Sequence, residues 1–217
     1  MKYFDRYKMD FYPLASRKSK VKIVEASIQP DSTPEVIEKS VSDRLDTIAH
    51  EIKEAKRNKK SVILTFGAHS IKNGLGVILA ALVEESWVTH LATNGAGVIH
   101  DWEFAYQGLS SEDVRDNVQE GKFGTWEETG LYINLAIVAG AYQGLGYGES
   151  VGSMISNEGL EIPFEIELIN IIEGKTDDTP LWKRAAGADF LELIRAEKLN
   201  PGWMEIKHPF SRYSIQA

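Results

Sequence analysis

Between residues 61 and 97 the apolar side chains change their spacing twice. Ser61-Val62-Ile63-Leu64-Thr65-Phe66 is a short, β-branched, nearly all-apolar run that breaks at Gly67. Such a run predicts a strand apolar on both faces, which belongs in a parallel sheet covered on both sides. Ile71–Glu85 then places Ile71, Leu75, Ile78, Leu79 and Leu82 at helical spacing. Trp87–Thr93 returns to strand character and ends at Asn94-Gly95-Ala96-Gly97. Strand, glycine turn, helix, strand and glycine turn make a βαβ unit, whose crossover is expected to be right-handed.

The flanks are mostly helical. Pro30-Asp31-Ser32-Thr33-Pro34-Glu35 has the hydroxyl, proline and glutamate of a helix start. Val36, Ile37, Val41, Leu45, Ile48, Ala49, Ile52 and Ala55 continue as one stripe, and the cations Lys56–Lys60 suit a helix C-terminus. Further on, helices are predicted to begin at Asp101, within Ser110–Asp113 and at Thr125, with a short one over Glu149–Ser156. Two more are predicted over Trp182–Ala186 and Asp189–Ala196, and the start of another over Pro209–Ala217. Residues 1–31 read as an N-terminal arm with a short strand near Val21, and residues 32–217 as one α/β domain.

Composition narrows the chemistry. The 217 residues include no cysteine, which removes disulfides, thiolate metal sites and thiol nucleophiles. A formal net charge of −8, with no basic stripe, argues against a nucleic-acid partner. The longest apolar stretch, Leu75–Val83, is too short to span a membrane, and Met-Lys-Tyr-Phe-Asp-Arg lacks the apolar segment of a signal peptide. A cytoplasmic protein is expected.

Ligands in open parallel sheets bind at the carboxyl ends of strands, where glycine turns and helix N-termini leave N–H groups bare. Two such ends are visible. Gly67, His69, Ser70 and Asn73 follow the first strand; Asn94, Gly95, Gly97 and His100 follow the second. The dinucleotide spacing G-x-G-x-x-G is absent. His100-Asp101 reads either as an imidazole oriented for proton transfer or as a helix cap with an acidic first turn. His90, inside a strand, reads as a packed core residue. His69, His100 and Asp101 also permit a metal-dependent hydrolase. Trp126, Trp182 and Trp203 read as packing or interface residues. Gly174-Lys175-Thr176-Asp177-Asp178-Thr179-Pro180 mimics the end of a P-loop, but lacks its first glycine and its strand–helix context.

Gly67-Ala68-His69-Ser70-Ile71-Lys72-Asn73-Gly74, Val88 through Asp101, Ser110-Ser111-Glu112-Asp113-Val114 and Gly121 through Gly130, taken in order, resemble the deoxyhypusine synthase family. More closely, they resemble its bacterial deoxyhypusine-synthase-like branch, over roughly residues 60–135. The resemblance implies a Rossmann-like parallel sheet with helices on both faces, NAD in the crevice, and a homo-oligomer with sites at subunit interfaces. It implies NAD-dependent oxidation of spermidine and aminobutyl transfer through a lysine imine. It nominates Gly67, His69, Ser70, Asn73, Asn94, Gly95, Gly97 and His100 for the cofactor, while His100 and Asp101 stand as the catalytic candidates on the residue reading above. Two departures bear on this expectation. Ile99-His100-Asp101 stands where the family carries two glutamates and an aspartate, and Gly202-Trp203 leads to Met204 where the family's lysine follows Trp-Gly. The chain thus resembles a shortened member, in which aminobutyl transfer by this chain alone is not supported. A non-catalytic binding or assembly protein on the same fold is the competing expectation.

Overall fold

The computed structural model describes residues 8–175 and 178–216. The N-terminal hexapeptide, Thr176 and Asp177 of the P-loop-like stretch, and Ala217 lie outside the described residues. The architecture is mixed α/β and mostly helical. A 3-10 turn over Leu14–Ser16 precedes β1 (Ser19–Lys22), the short α1 (Ile23–Ala26) and α2 (Lys39–Arg57). The βαβ region follows as β2 (Ile63–Thr65), α3 (Ala68–Lys72), α4 (Gly76–Glu84) and β3 (His90–Ala92). Then come α5 (Gly95–Gln107), β4 (Leu109–Glu112), α6 (Val114–Gln119), α7 (Glu127–Gln143) and α8 (Tyr147–Asn157). The chain finishes with β5 (Gly159–Ile162), α9 (Glu165–Ile172), α10 (Leu181–Glu197), β6 (Gly202–Glu205) and a 3-10 turn at Ser211–Tyr213.

The expected Rossmann-like sheet is replaced, among the described residues, by three two-stranded sheets. β2 and β3 pair in parallel with Ile63 opposite His90 and Thr65 opposite Ala92. β1 pairs antiparallel with β4, and β5 with β6. The parallel pair is covered on one face only. Leu64 and Phe66 pack against a small core of Ile23, Ile71, Leu79 and Phe104, whereas Ile63 on the other face is 63% exposed. His90 shares that outer face and is exposed, so it is not the packed core residue its strand position predicts. A short apolar run reports burial on one face as readily as on two.

The main core lies elsewhere, between α5, α7, α8 and α10. Trp102, Leu135, Val151, Met154, Ile155 and Phe190 fill it, with Leu160 and Ile162 from β5, the strand paired with β6. α7 and α8 touch so closely that a Cβ on Gly140 would lie 1.9 Å from Ser150 Oγ. The predicted helix over Ile71–Glu85 is broken in two at Gly74. There φ is +86°, and a Cβ would meet the Ala26 carbonyl oxygen at 2.0 Å. Glycine is therefore required by both the backbone conformation and the close approach. The N-terminal segment contributes to the structure: Leu14 and Ile23 are buried, and β1 completes a sheet with β4.

Other boundaries move for local reasons. α2 starts at Lys39, since the Ser32 hydroxyl accepts from the Gln29 N–H and closes a turn instead of capping a helix. Ser110 and Ser111 lie in β4, leaving Asp113 as the cap of α6, where it accepts from Asp116 N–H at 3.1 Å. The two helices predicted between Trp182 and Ala196 are one, α10. Trp126 is buried, while Trp182 and Trp203 are about half exposed, at 51% and 55%. No helix among the described residues is long and apolar enough to cross a membrane.

Candidate functional site

Parallel pairing puts the carboxyl ends of β2 and β3 side by side, so the turns leaving them converge. A Cβ on Gly67 would lie 3.8 Å from the Asn94 side-chain nitrogen. Gly67 precedes α3 and Asn94 precedes α5; the Asn94 side-chain oxygen accepts from Gly97 N–H at 3.0 Å. This is an ordinary amide cap on an orphan N–H. α5 starts six residues earlier than its predicted start at Asp101, so Gly95, Gly97 and His100 belong to the helix and not to a loop. A Cβ on Gly97 would sit 2.3 Å from Thr93 Oγ1, which fixes glycine at that turn. His69 and Asn73 are exposed and Ser70 is half-buried; Asn73 ends α3, at the far end from Gly67.

His100 is held by a chain of side chains running into the protein. Its Nδ1 lies 2.6 Å from Ser110 Oγ. Ser110 in turn donates to Glu103 Oε2 at 2.5 Å, and Arg17 grips the same carboxylate with two bonds of 2.7 Å. Thr129 Oγ1 donates to the other oxygen at 3.1 Å. Arg17, Glu103 and Ser110 are all buried. The Ser110 proton is committed to an ionised carboxylate, so the imidazole donates from Nδ1 and keeps its lone pair on Nε2. Burial pushes the His100 pKa below the ordinary imidazole value; nearby Lys72, Arg17 and His69 push the same way, against Glu103. The result is a neutral, oriented imidazole with a basic nitrogen, next to the His69 and Lys72 of α3.

Asp101 has a different task. It is fully buried and accepts from Ser214 Oγ at 2.5 Å, Ile215 N–H at 3.0 Å and Gln216 Nε2 at 3.0 Å. Burial raises its pKa, and these three donors oppose the rise. Its carboxylate clasps the C-terminal segment; Ser110, and not Asp101, orients His100. The alternative of a metal centre from His69, His100 and Asp101 fails on this geometry. Among the described residues no group of three or more such side chains is placed to hold a metal ion.

Beside the joined turns lies an open cleft of about 410 Å³. Phe66, Leu91 and Val98 supply apolar wall, Thr93 lies at the strand end, and Gly148, Glu149, Gly152 and Ser153 come from α8. Ile215 and Gln216 close the far side. None of the residues nominated from the sequence lines this cleft. The strand ends were visible as positions, but α8 and the C-terminal segment are brought in by non-local packing. Only Gly152 of α8, where a Cβ would lie 2.6 Å from the Gln216 carbonyl oxygen, hints in the sequence at a close approach. The Tyr147 hydroxyl stands 3.7 Å from where a Gly95 Cβ would be, beside the start of α5. Compared with protein-family models, curated proteins and solved structures, the chain matches none.

Proposed function

We propose that the protein binds NAD or a similar nucleotide at the carboxyl ends of β2 and β3. The observation that carries this reading is the junction of the two turns over the cleft of about 410 Å³. Its volume falls within the range of small-molecule sites, and its mixture of apolar wall and few polar groups is typical of them. A heteroaromatic ring would rest against Phe66, Leu91 and Val98. The Glu149 carboxylate offers an acceptor for ribose hydroxyls, and the first turn of α5 offers N–H groups to phosphate. In the deoxyhypusine-synthase-like reading the second substrate is a polyamine, whose oxidation would pass a hydride to bound NAD; His100 does not line the cleft and has no part in that step. The family's transfer step runs through a lysine that follows Trp-Gly, and here Met204 follows Gly202-Trp203.

Calorimetric titration with NAD, NADH and spermidine tests the reading. NAD should give saturable heat that disappears in Gly148→Trp, whose indole would fill the cleft. A Cβ at Gly148 meets nothing within 4 Å, so that variant should keep the wild-type circular dichroism and melting curve. Absence of saturable heat with both nucleotides in the wild-type chain would refute nucleotide binding.

A further inference from the structure

Among the described residues α2 is the one long helix that buries no residue, and it belongs to neither core. Val41, Leu45 and Ile48 on it are 45%, 51% and 50% exposed, and they stand on a single stripe. With Ile52 and Ala55 that stripe advances by four and three residues alternately. This is the narrow seam of a coiled coil and not the broad face of a helix packed on a globular core.

We propose that α2 pairs antiparallel with α2 of a second copy of this chain. Charge and attachment both choose that occupant. Arg44 and Glu51 flank the same side of the seam, while Ser42 and Ala49 flank the other. When Leu45 of one copy lies opposite Ile48 of the other, Val41 opposes Ile52, and each Arg44 faces the other copy's Glu51. The pairing is self-complementary about a two-fold axis, as an isologous dimer requires. α2 is fastened to the body near its C-terminal end: Lys56 donates to the Glu85 carbonyl at 2.6 Å and stands 3.7 Å over the Trp87 ring. Antiparallel pairing sends the two bodies to opposite ends of a helix roughly 28 Å long. Parallel pairing would crowd them at one end, and would ask Glu51 to bond a Lys56 already engaged.

Sedimentation equilibrium from micromolar to submillimolar concentration tests this. The wild-type chain should dimerise, and Leu45→Glu with Ile48→Glu should leave a folded monomer, since α2 supports no core. Arg44→Glu alone turns two attractions into repulsions and should weaken the dimer roughly tenfold, as should Glu51→Arg alone. Together, the two charge reversals should restore it. A wild-type chain that stays monomeric throughout overturns the proposal. So does a dimer indifferent to the seam variant, or a charge-reversed double variant no tighter than the single ones.

Discussion

His100 shows how buried groups set the behaviour of a half-buried one. Its Nδ1 proton is fixed by Ser110, whose own proton is fixed by Glu103, which Arg17 in turn neutralises. The chain leaves Nε2 as the basic site and burial keeps it unprotonated. A proton–nitrogen NMR titration should therefore place the His100 midpoint below the usual imidazole value. Replacing Lys72 by Met removes a charge that lowers the midpoint, so in that variant it should rise. A midpoint unchanged by the substitution would mean that Lys72 does not face the ring. Little of this arrangement was legible beforehand. His100 stood out by its position after a glycine turn, but Arg17 lies far away in sequence, and Ser110 looked like a helix cap. Only the fold brings the three together.

At the scale of elements, close helix packing is concentrated at Gly140. Alanine there would ordinarily strengthen the helix by up to about 1 kcal/mol. Here its Cβ would lie 1.9 Å from Ser150 Oγ and 2.5 Å from Ser150 Cβ, so α7 and α8 would have to part. Gly140→Ala should cost about 1–3 kcal/mol in urea unfolding. In a Ser150→Gly background the same change should be nearly neutral; equal losses in both backgrounds would contradict the contact. The elements with strong local signals were read correctly: the two short strands around the βαβ region, α7, and the region of α8. Others depended on distant partners. β6, with Gly202-Trp203-Met204-Glu205, has no strand signature of its own and exists because Leu160 and Ile162 hold it in register. The wide sheet failed as an expectation for a similar reason, since an apolar run names its own preference and not its neighbours. α2 kept its stripe but lacked a core to receive it.

For the whole molecule, acid sensitivity follows from His208. It is fully buried, edge-on to Trp102 and Tyr106, and neither ring nitrogen has a hydrogen-bond partner. Burial lowers its pKa from 6.5 to about 4, with the nearby Ile206 backbone opposing the shift. The unfolded chain therefore takes up a proton near pH 6.5 that the folded chain refuses until about pH 4. Stability must fall as pH drops through that window, by roughly 3 kcal/mol at most, and no further from this group below it. His208→Leu should flatten the curve between those limits. An unaltered acid slope in the variant would assign the sensitivity to other groups.

The clasp on Asp101 also orders events in time. Ser214, Ile215 and Gln216 reach a carboxylate more than a hundred positions upstream, and two of them wall the cleft. During synthesis that wall cannot exist until residues 214–216 have emerged from the ribosome, however early α5 and α8 have formed. The cleft is thus completed late relative to its other walls, only after a contact spanning more than a hundred residues has closed.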